Sequence, residues 1–475
     1  MKLRHLLVLA MLAHLAVALS IYLAGNFALL PGVFDGGGIA SFASDSRVYQ
    51  LQMSALEATL KQEGIVTWLG TPAPPHVKLY SLSSAVFSPF FGQTILSVEP
   101  LNLFYYLATL LLIFNLGRET YGAREGLLAA GMFAALVPSF LLHTTQLLKD
   151  PLFVVLTLLL TLLSVKWLTT QYTFVKGLVA GALGGATAGS LWLVKNSAWW
   201  LILTIIVLGG LLSVAQQVHR RSLMKGNLVG IALTLLIALS VSHFVTPYWL
   251  PKEYWTPYRP KAEASSAPSV SESIGGLTVS GSAQTSSTSG APVAASGAGW
   301  WSRVAGRIGH TRAQFIELYP DAGSNVDTQV QFDGAGDVVR YLPRALLVGL
   351  CAPFPSMWFG AGENVGTAGR LLSGGETLLM YLIVCLAFQS LWHRRRQPSA
   401  WLLMLIALMG VMALGMVVVN VGALYRQRYL FWILFVIVGA ESVSRIQETL
   451  RVHRAESRGR EERAPETIRA AALLK

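Results

Sequence analysis

The sequence predicts an all-α polytopic membrane protein with about ten transmembrane helices and further interfacial or re-entrant helices. Three observations carry that expectation. Of 475 residues, 53% are hydrophobic and only 13% charged, more apolar and less charged than soluble domains. The apolar residues gather into about ten runs, each long enough at ~1.5 Å per residue to cross a ~30 Å hydrocarbon core. The loops between them alternate in basic content, the bias that orients membrane helices. A net charge of +12 in a soluble protein would point to nucleic acid. Here the charge sorts by loop, so it reads as topology, and no nucleic-acid partner is expected.

The first run, Leu6 to Leu23, follows Lys2 and Arg4. Ala16-Val17-Ala18 resembles a signal-peptidase site, but the run is longer than a signal-peptide core and is read as an uncleaved first helix, cytoplasm to exterior. The further spans are Leu101–Gly117, Gly126–Leu142, Pro151–Trp167, Gly177–Val194, Trp199–Ala215, Gly226–Val245, Leu371–Leu391, Trp401–Val419 and Leu430–Val443. Two apolar stretches are read as interfacial or re-entrant instead. Leu79 to Val98 carries Ser81, Ser83, Ser84, Pro89 and Gln93, and as a crossing it would put Arg118 and Arg124 outside and reverse every later loop. Leu342 to Trp358 carries Pro343, Pro353 and Pro355, which are expected to break any helix long enough to cross.

The chain then divides into an N-terminal transmembrane module (1–245, with a first exterior loop at 25–100), a second exterior region (246–370), C-terminal transmembrane helices (371–444) and a basic cytoplasmic tail (445–475). The first loop holds Gly36-Gly37-Gly38, an amphipathic segment from Asp45 to Gln62 and a Pro-rich turn at Thr71 to Pro75, and is expected to fold onto the membrane surface. The second opens with an aromatic collar, Tyr248 to Pro260, which suits either a membrane-interface belt or stacking on sugar rings. The Ser/Gly/Ala-rich stretch 262–299 has too little apolar bulk to offset ordering entropy and is expected to be disordered. From Trp300, the residues Trp301, Val304, Ile308 and Phe315 recur at helical spacing with Arg303, Arg307 and Arg312 on other faces, as in a surface helix. The two cysteines, Cys351 and Cys385, support neither a disulfide framework nor a cysteine metal site.

With both termini cytoplasmic, 20 of the 36 lysines and arginines fall in cytoplasmic segments. The short exterior loops hold four: Lys149, Lys195, Arg426 and Arg428. Cations there run against the orientation bias, so an anionic head group is expected to meet them, although each side chain can also snorkel to lipid phosphate. Two acids share that side. Asp45 heads the amphipathic segment in Ala43-Ser44-Asp45-Ser46-Arg47-Val48-Tyr49, and Asp150 closes Gln146-Leu147-Leu148-Lys149-Asp150 before Pro151. Each also reads as a helix cap. His76, beside Lys78, reads as reaching the site or as a surface histidine; His310 reads as surface.

In order along one side of the membrane, Asp45-Ser46-Arg47-Val48-Tyr49, Pro74-Pro75, Lys78-Leu79-Tyr80, Phe91-Gly92 and Leu101-Asn102 resemble the first third of a GT-C glycosyltransferase. That superfamily includes the dolichyl-phosphate-mannose protein mannosyltransferases and the lipid A aminoarabinose transferase. The turn Gly117-Arg118-Glu119-Thr120-Tyr121-Gly122 resembles their Arg-x-x-x-Gly turn, and Asn420-Val421-Gly422 with Tyr425-Arg426-Gln427-Arg428-Tyr429 resembles the segment leading into their last span. The likeness covers about two thirds of the chain and rests on the order of these motifs and their common side.

The resemblance implies a GT-C-like fold, Asp45 as catalytic base, and Asp150 as a residue that orients the acceptor or helps bind a divalent cation. Arg426 and Arg428, with Lys149 and Lys195, would hold the phosphate of a polyprenyl-phosphate sugar donor, and Tyr49, His76, Lys78 and Tyr80 would be nearby candidates. Ser46 stands where many members have a second acid, and Lys149-Asp150 where many have a glutamate, which weakens the case for a metal because Lys149 can supply positive charge. The expected reaction is an inverting single displacement onto a glycan, lipid or protein acceptor at the exterior or periplasmic face of a bacterial inner membrane. No P-loop or dinucleotide fingerprint is present. A transporter or flippase of an anionic lipid-linked glycan, and a non-catalytic component of polysaccharide assembly, remain as alternatives.

Overall fold

The computed structural model describes residues 2–43, 45–248, 300–318, 323–359 and 366–463, and these form a helical bundle without a named β-strand. The segment 262–299, most of the aromatic collar and residues 464–475 of the tail lie outside the described residues. In chain order the helices are α1 (Leu3–Asn26), α2 (Asp45–Gln62), α3 (Ile65–Gly70), α4 (Pro75–Phe91), α5 (Glu99–Thr120), α6 (Ala123–Leu136), α7 (Pro138–Thr144), α8 (Asp150–Thr169), α9 (Phe174–Lys195), α10 (Trp199–His219), α11 (Lys225–Phe244), α12 (Trp300–Leu318), α13 (Ala335–Cys351), α14 (Gly366–His393), α15 (Pro398–Val417), α16 (Val421–Gln427) and α17 (Tyr429–Arg463). Proline in the first turn starts α4, α5, α7, α8 and α15, where its missing N–H has no partner to lose.

Among the described residues, eight stretches are long and apolar enough to cross a membrane, consistent with an integral membrane protein: α1, α5, α8, the stretch Phe174–His219, α11, α14, α15 and most of α17. The ten spans drawn from sequence differ from this in two places. Gly126–Leu142 is not straight: α6 and α7 meet at Val137–Pro138 with a 77° bend and add at most one broken span. Phe174–His219 holds two of the expected spans, α9 and α10, joined by a single 3₁₀ turn at Asn196–Ala198. The chain reverses there, because Gly177 near the start of α9 packs on Gly226 at the start of α11, and α10 leads into that same end through residues 220–224.

Leu79 to Val98 falls in α4 and the turn after it, outside the membrane-crossing stretches. Leu342 to Trp358 also falls outside the membrane-crossing stretches; Pro343 lies inside α13 without ending it, and the helix stops at Cys351, before Pro353. Gly349 and Gly415 bring α13 and α15 into backbone contact, such that a Cβ on Gly349 would lie 2.0 Å from the Val411 carbonyl. Arg312 of α12 also departs from the surface reading: it is buried, donates to Met416 O at 2.9 Å and Asp327 O at 2.6 Å, and lies over the Tyr341 ring.

The central post of the bundle is α17, buried on all sides from Tyr429 to Ser442, as expected of a helix apolar all round. A glycine seam joins α9 and α11, with Gly177 and Gly181 against Gly226 and Gly230. At the opposite end from this seam's start, α2 and α4 form a layer pinned by Glu57. Its carboxylate accepts from Lys61 at 2.5 Å, Ser84 and Ser88 at 2.6 Å, and Gln93 at 2.8 Å. Burial alone would raise the Glu57 pKa, but these donors outweigh it and bring it down to about 2. That layer sets the position of Asp45 at the head of α2.

Candidate functional site

Four side chains remote in sequence meet at one end of the bundle. Arg426 Nη2 donates to Asp45 Oδ2 at 2.8 Å, and Arg426 Nε lies 2.9 Å from Asp150 Oδ2. The second contact is off the N–H direction, so it is an ion pair rather than an aligned hydrogen bond. Lys195 Nζ approaches Asp150 Oδ1 at 3.7 Å and sits 5.0 Å from the centre of the Phe153 ring. The four side chains are 12 to 17% exposed, enclosed but still reachable from outside. Asp150 therefore does not serve only as a cap; its carboxylate faces two cations.

Each member is held from behind. The strand of chain before α8 is clamped by Tyr80, whose hydroxyl donates to Leu148 O at 2.8 Å and accepts from Leu148 N–H at 3.2 Å. Gln146 fixes the same segment to the first exterior loop, its Oε1 accepting from Ala40 N–H at 2.9 Å. Lys195 comes from the last turn of α9, where a cation complements the helix dipole. Arg426 rides on the short α16, capped by Asn420 accepting from Ala423 N–H at 3.0 Å. The segment Ser324 to Val326 pairs with the backbone at Val419 and Val421, so the second exterior region steadies the helix that carries Arg426.

Burial opposes the charge on Arg426, but Asp45 and Asp150 outweigh it, and the guanidinium titrates above its ordinary range. Arg428 requires a correction. Two residues on, it points the other way, as i and i+2 positions on a helix must, and it is fully buried. It donates to the carbonyls of Ala352 and, at 3.4 Å, Gly349, and to Thr377 Oγ1 at 3.1 Å, and its guanidinium lies 4.1 Å from the centre of the Trp432 ring. It locks the end of α16 to α13 and α14 and makes no contact with the Asp45–Arg426–Asp150 cluster.

The remaining candidates separate. Tyr49 is buried edge-on to His76 at 4.6 Å between ring centres. His76 is not a surface histidine: it is 3% exposed, neither ring nitrogen has a hydrogen-bond partner, and burial, reinforced by Lys149, pulls its pKa down to about 3. Tyr80 is structural, as described. Lys78 turns away, donating to Leu69 O at 2.8 Å and lying over Trp68. Lys149 is half-buried beside Asp150.

No group of three or more His, Cys, Asp or Glu side chains converges among the described residues. The donor set does not fit a divalent cation, because the two carboxylates that would ligate one already share the Arg426 guanidinium between them. Sequence reasoning passed over the groups behind the site. Glu376 of α14 accepts from Ser139 N–H at 2.7 Å, from Ser139 Oγ at 2.5 Å and from the Tyr425 hydroxyl, while Tyr429 donates to Ser139 at 2.9 Å. His14 of α1 pairs with Glu99 of α5 at 2.6 Å. The available signal was an ionisable residue inside an apolar run. No protein-family model matches the sequence, and no curated protein matches it.

Proposed function

We propose that the protein is a GT-C-type glycosyltransferase that moves a sugar from a polyprenyl-phosphate donor to an acceptor hydroxyl at the membrane face bearing Asp45. The observation that carries this reading is the cluster itself: a carboxylate and a phosphate-matching guanidinium 2.8 Å apart, partly open, at the ends of apolar helices. Displacement at an anomeric carbon needs a base on the incoming hydroxyl and cations on the departing phosphate. Asp45 takes the proton as the acceptor oxygen bonds to the anomeric carbon. The C–O bond to phosphate breaks, and its electrons leave on a phosphate held by Arg426 and Lys195. Attack opposite the leaving group inverts the anomeric centre.

Arginine suits the clamp because its planar fork engages phosphate oxygens bidentately and keeps its charge. In the present arrangement Asp45 occupies that fork, so an incoming donor phosphate competes with Asp45 for Arg426 and frees the carboxylate for the acceptor. Asp150 keeps Arg426 and Lys195 aimed at the same point. The transport reading draws on the intramembrane pairs His14–Glu99 and Glu376–Ser139, which are the kind of group that lines substrate paths. Both carboxylate oxygens of Glu376 are taken up, by Ser139 and Tyr425, and His14 holds one Glu99 oxygen at 2.6 Å while the other Glu99 oxygen is buried without a partner among the described residues; fixed partners on each favour a structural role for them.

The test is transfer of labelled sugar from a panel of polyprenyl-phosphate sugars in membranes containing wild type, Asp45→Asn, Asp150→Asn or Arg426→Ala at matched levels. Wild type is expected to consume one donor, and all three variants to lose that activity. Equal transfer by wild type and Asp45→Asn would remove the catalytic assignment; movement of intact donor across vesicles without glycosidic cleavage would establish transport instead.

A further inference from the structure

The end of the bundle opposite Asp45 contains a cleft of about 800 Å³ where α8, α10 and the turn from α14 to α15 meet. Four arginines line this cleft, and three of them, Arg220, Arg395 and Arg396, have no acidic partner among the described residues. Arg394, beside them, pairs with Glu441 at 2.9 Å. Arg395 lies 5.6 Å from the centre of the Trp392 ring. Arg220 meets a neutral group, the Gln216 side-chain oxygen at 2.9 Å, once the Gln216 amide is oriented so that its nitrogen donates to Leu168 O. Arg396 has no ion pair or hydrogen bond among the described residues; no carboxylate is itself a lining residue, and the two at the edge are Glu119, which accepts from the Thr169 hydroxyl at 3.3 Å, and Glu441, which holds Arg394. The first turn of α15 opens into it as well. Its N-cap, Gln397, makes no capping bond and its side chain donates to Thr120 O instead, so the helix start adds a positive dipole end.

An apolar groove of about 280 Å³ continues from the cleft along α10, sharing Arg220 and Arg396 and floored by Leu212 and Ala215. The neighbouring face of α10, with Leu211 and Val218, is exposed, and Trp392 is 71% exposed at the rim. A basin with an excess of arginine over acid, running into a groove whose floor at Leu212, Ala215 and Pro398 is apolar and whose rim carries Gln216 and His219, matches a molecule with a phosphate at one end and a hydrocarbon chain at the other. A soluble phosphate compound would use the basin and leave the groove empty.

We propose that this cleft binds the phosphate head group of an anionic phospholipid from the leaflet at this end of the bundle, with one acyl chain along Leu212 and Ala215. The uncompensated charge selects an anionic over a zwitterionic lipid. Trp392, exposed near the end of α14, suits the membrane interface, where an indole ring is favoured. This inference stands apart from the proposed transfer reaction, because its readout is lipid binding alone.

The full-length protein, purified in detergent, would be titrated with phosphatidylglycerol and phosphatidylcholine and its lipid-bound forms counted by native mass spectrometry. Wild type is expected to retain one phosphatidylglycerol in preference to phosphatidylcholine. Arg220→Gln with Arg396→Gln is expected to weaken that binding roughly ten- to thirtyfold. Leu212→Trp fills the groove with all charges kept and is expected to weaken it too, whereas Arg221→Gln, outside the cleft, leaves it unchanged. Inorganic phosphate competes poorly if the chain contributes. Equal binding of the two lipids, or no loss in both cleft variants, overturns the proposal. Full displacement by inorganic phosphate with no effect of Leu212→Trp overturns the lipid and leaves a small-anion site.

Discussion

The two ends of the bundle hold their arginines in opposite ways. At the Asp45 end, Arg426 is gripped by two carboxylates and Lys195 by one of the same pair. At the Arg396 end, four arginines line a cleft with no acid among its lining residues, and only Arg394 of the four has an acidic partner, Glu441, among the described residues. A charge with fixed partners can be aimed, and the cost of enclosing it is offset by those partners; a charge without them can persist only where water or a ligand replaces the missing carboxylate. The first arrangement suits chemistry at a defined atom, and the second suits binding.

The sharpest way to break the comparison is to remove the shared cation. Arg426→Ala leaves Asp45 enclosed without this partner and Asp150 with Lys195 alone, and should destabilise the protein by about 3 kcal/mol, read as a lower unfolding midpoint in detergent, together with loss of transfer. The paired removal of Arg220 and Arg396 should leave the midpoint nearly unchanged in lipid-free detergent. Comparable losses at the two ends would erase the distinction. Next comes Arg428→Leu, which strips donors from the Ala352 and Gly349 carbonyls and should cost about 2–4 kcal/mol. Donor KM in the folded fraction should stay as in wild type. A raised donor KM at unchanged stability would return Arg428 to the phosphate clamp.

His76 gives a smaller, pH-dependent effect. Its folded-state pKa of about 3 lies below the ordinary 6.5, so between those values the unfolded chain takes up a proton that the folded chain refuses. Stability is therefore complete above about pH 6.5 and falls by up to ~1.4 kcal/mol per unit as pH drops toward 3. His76→Phe keeps a ring against Tyr49 and removes the titration, so its unfolding midpoint should fall less than that of wild type between about pH 7.5 and pH 5. Parallel falls would mean that His76 is already solvated or paired. The smallest effect is expected at Lys78→Ala, outside the cluster: less than about 1 kcal/mol and no change in transfer.

Much of the bundle was legible because hydrophobic period and loop chemistry act locally. The amphipathic segment Asp45 to Gln62 coincides with α2, and the apolar runs became helices. What escaped depended on partners distant in sequence. Pro343 sits inside α13 without ending it, and Gly349 and Gly415 bring that helix into backbone contact with α15, a pairing that no local rule reports. Asp45, Asp150, Lys195 and Arg426 could be nominated from their side of the membrane, but their convergence spans up to 381 positions in the chain. Arg428 shared every sequence feature of Arg426 except its helical phase. His76 looked exposed beside Lys78, yet the packing of α2 over α4 buries it against Tyr49.

The account turns on Asp45 as a base released from Arg426 when the donor phosphate arrives. The direct measurement is donor binding and single-turnover transfer on the same preparations of wild type and Asp45→Asn, using the polyprenyl-phosphate sugar that wild type consumes. The account predicts that Asp45→Asn binds the donor at least as tightly, because Arg426 loses its competing carboxylate, and transfers it at least about a hundredfold more slowly. Undiminished transfer by Asp45→Asn, or donor binding lost in step with transfer, would contradict it.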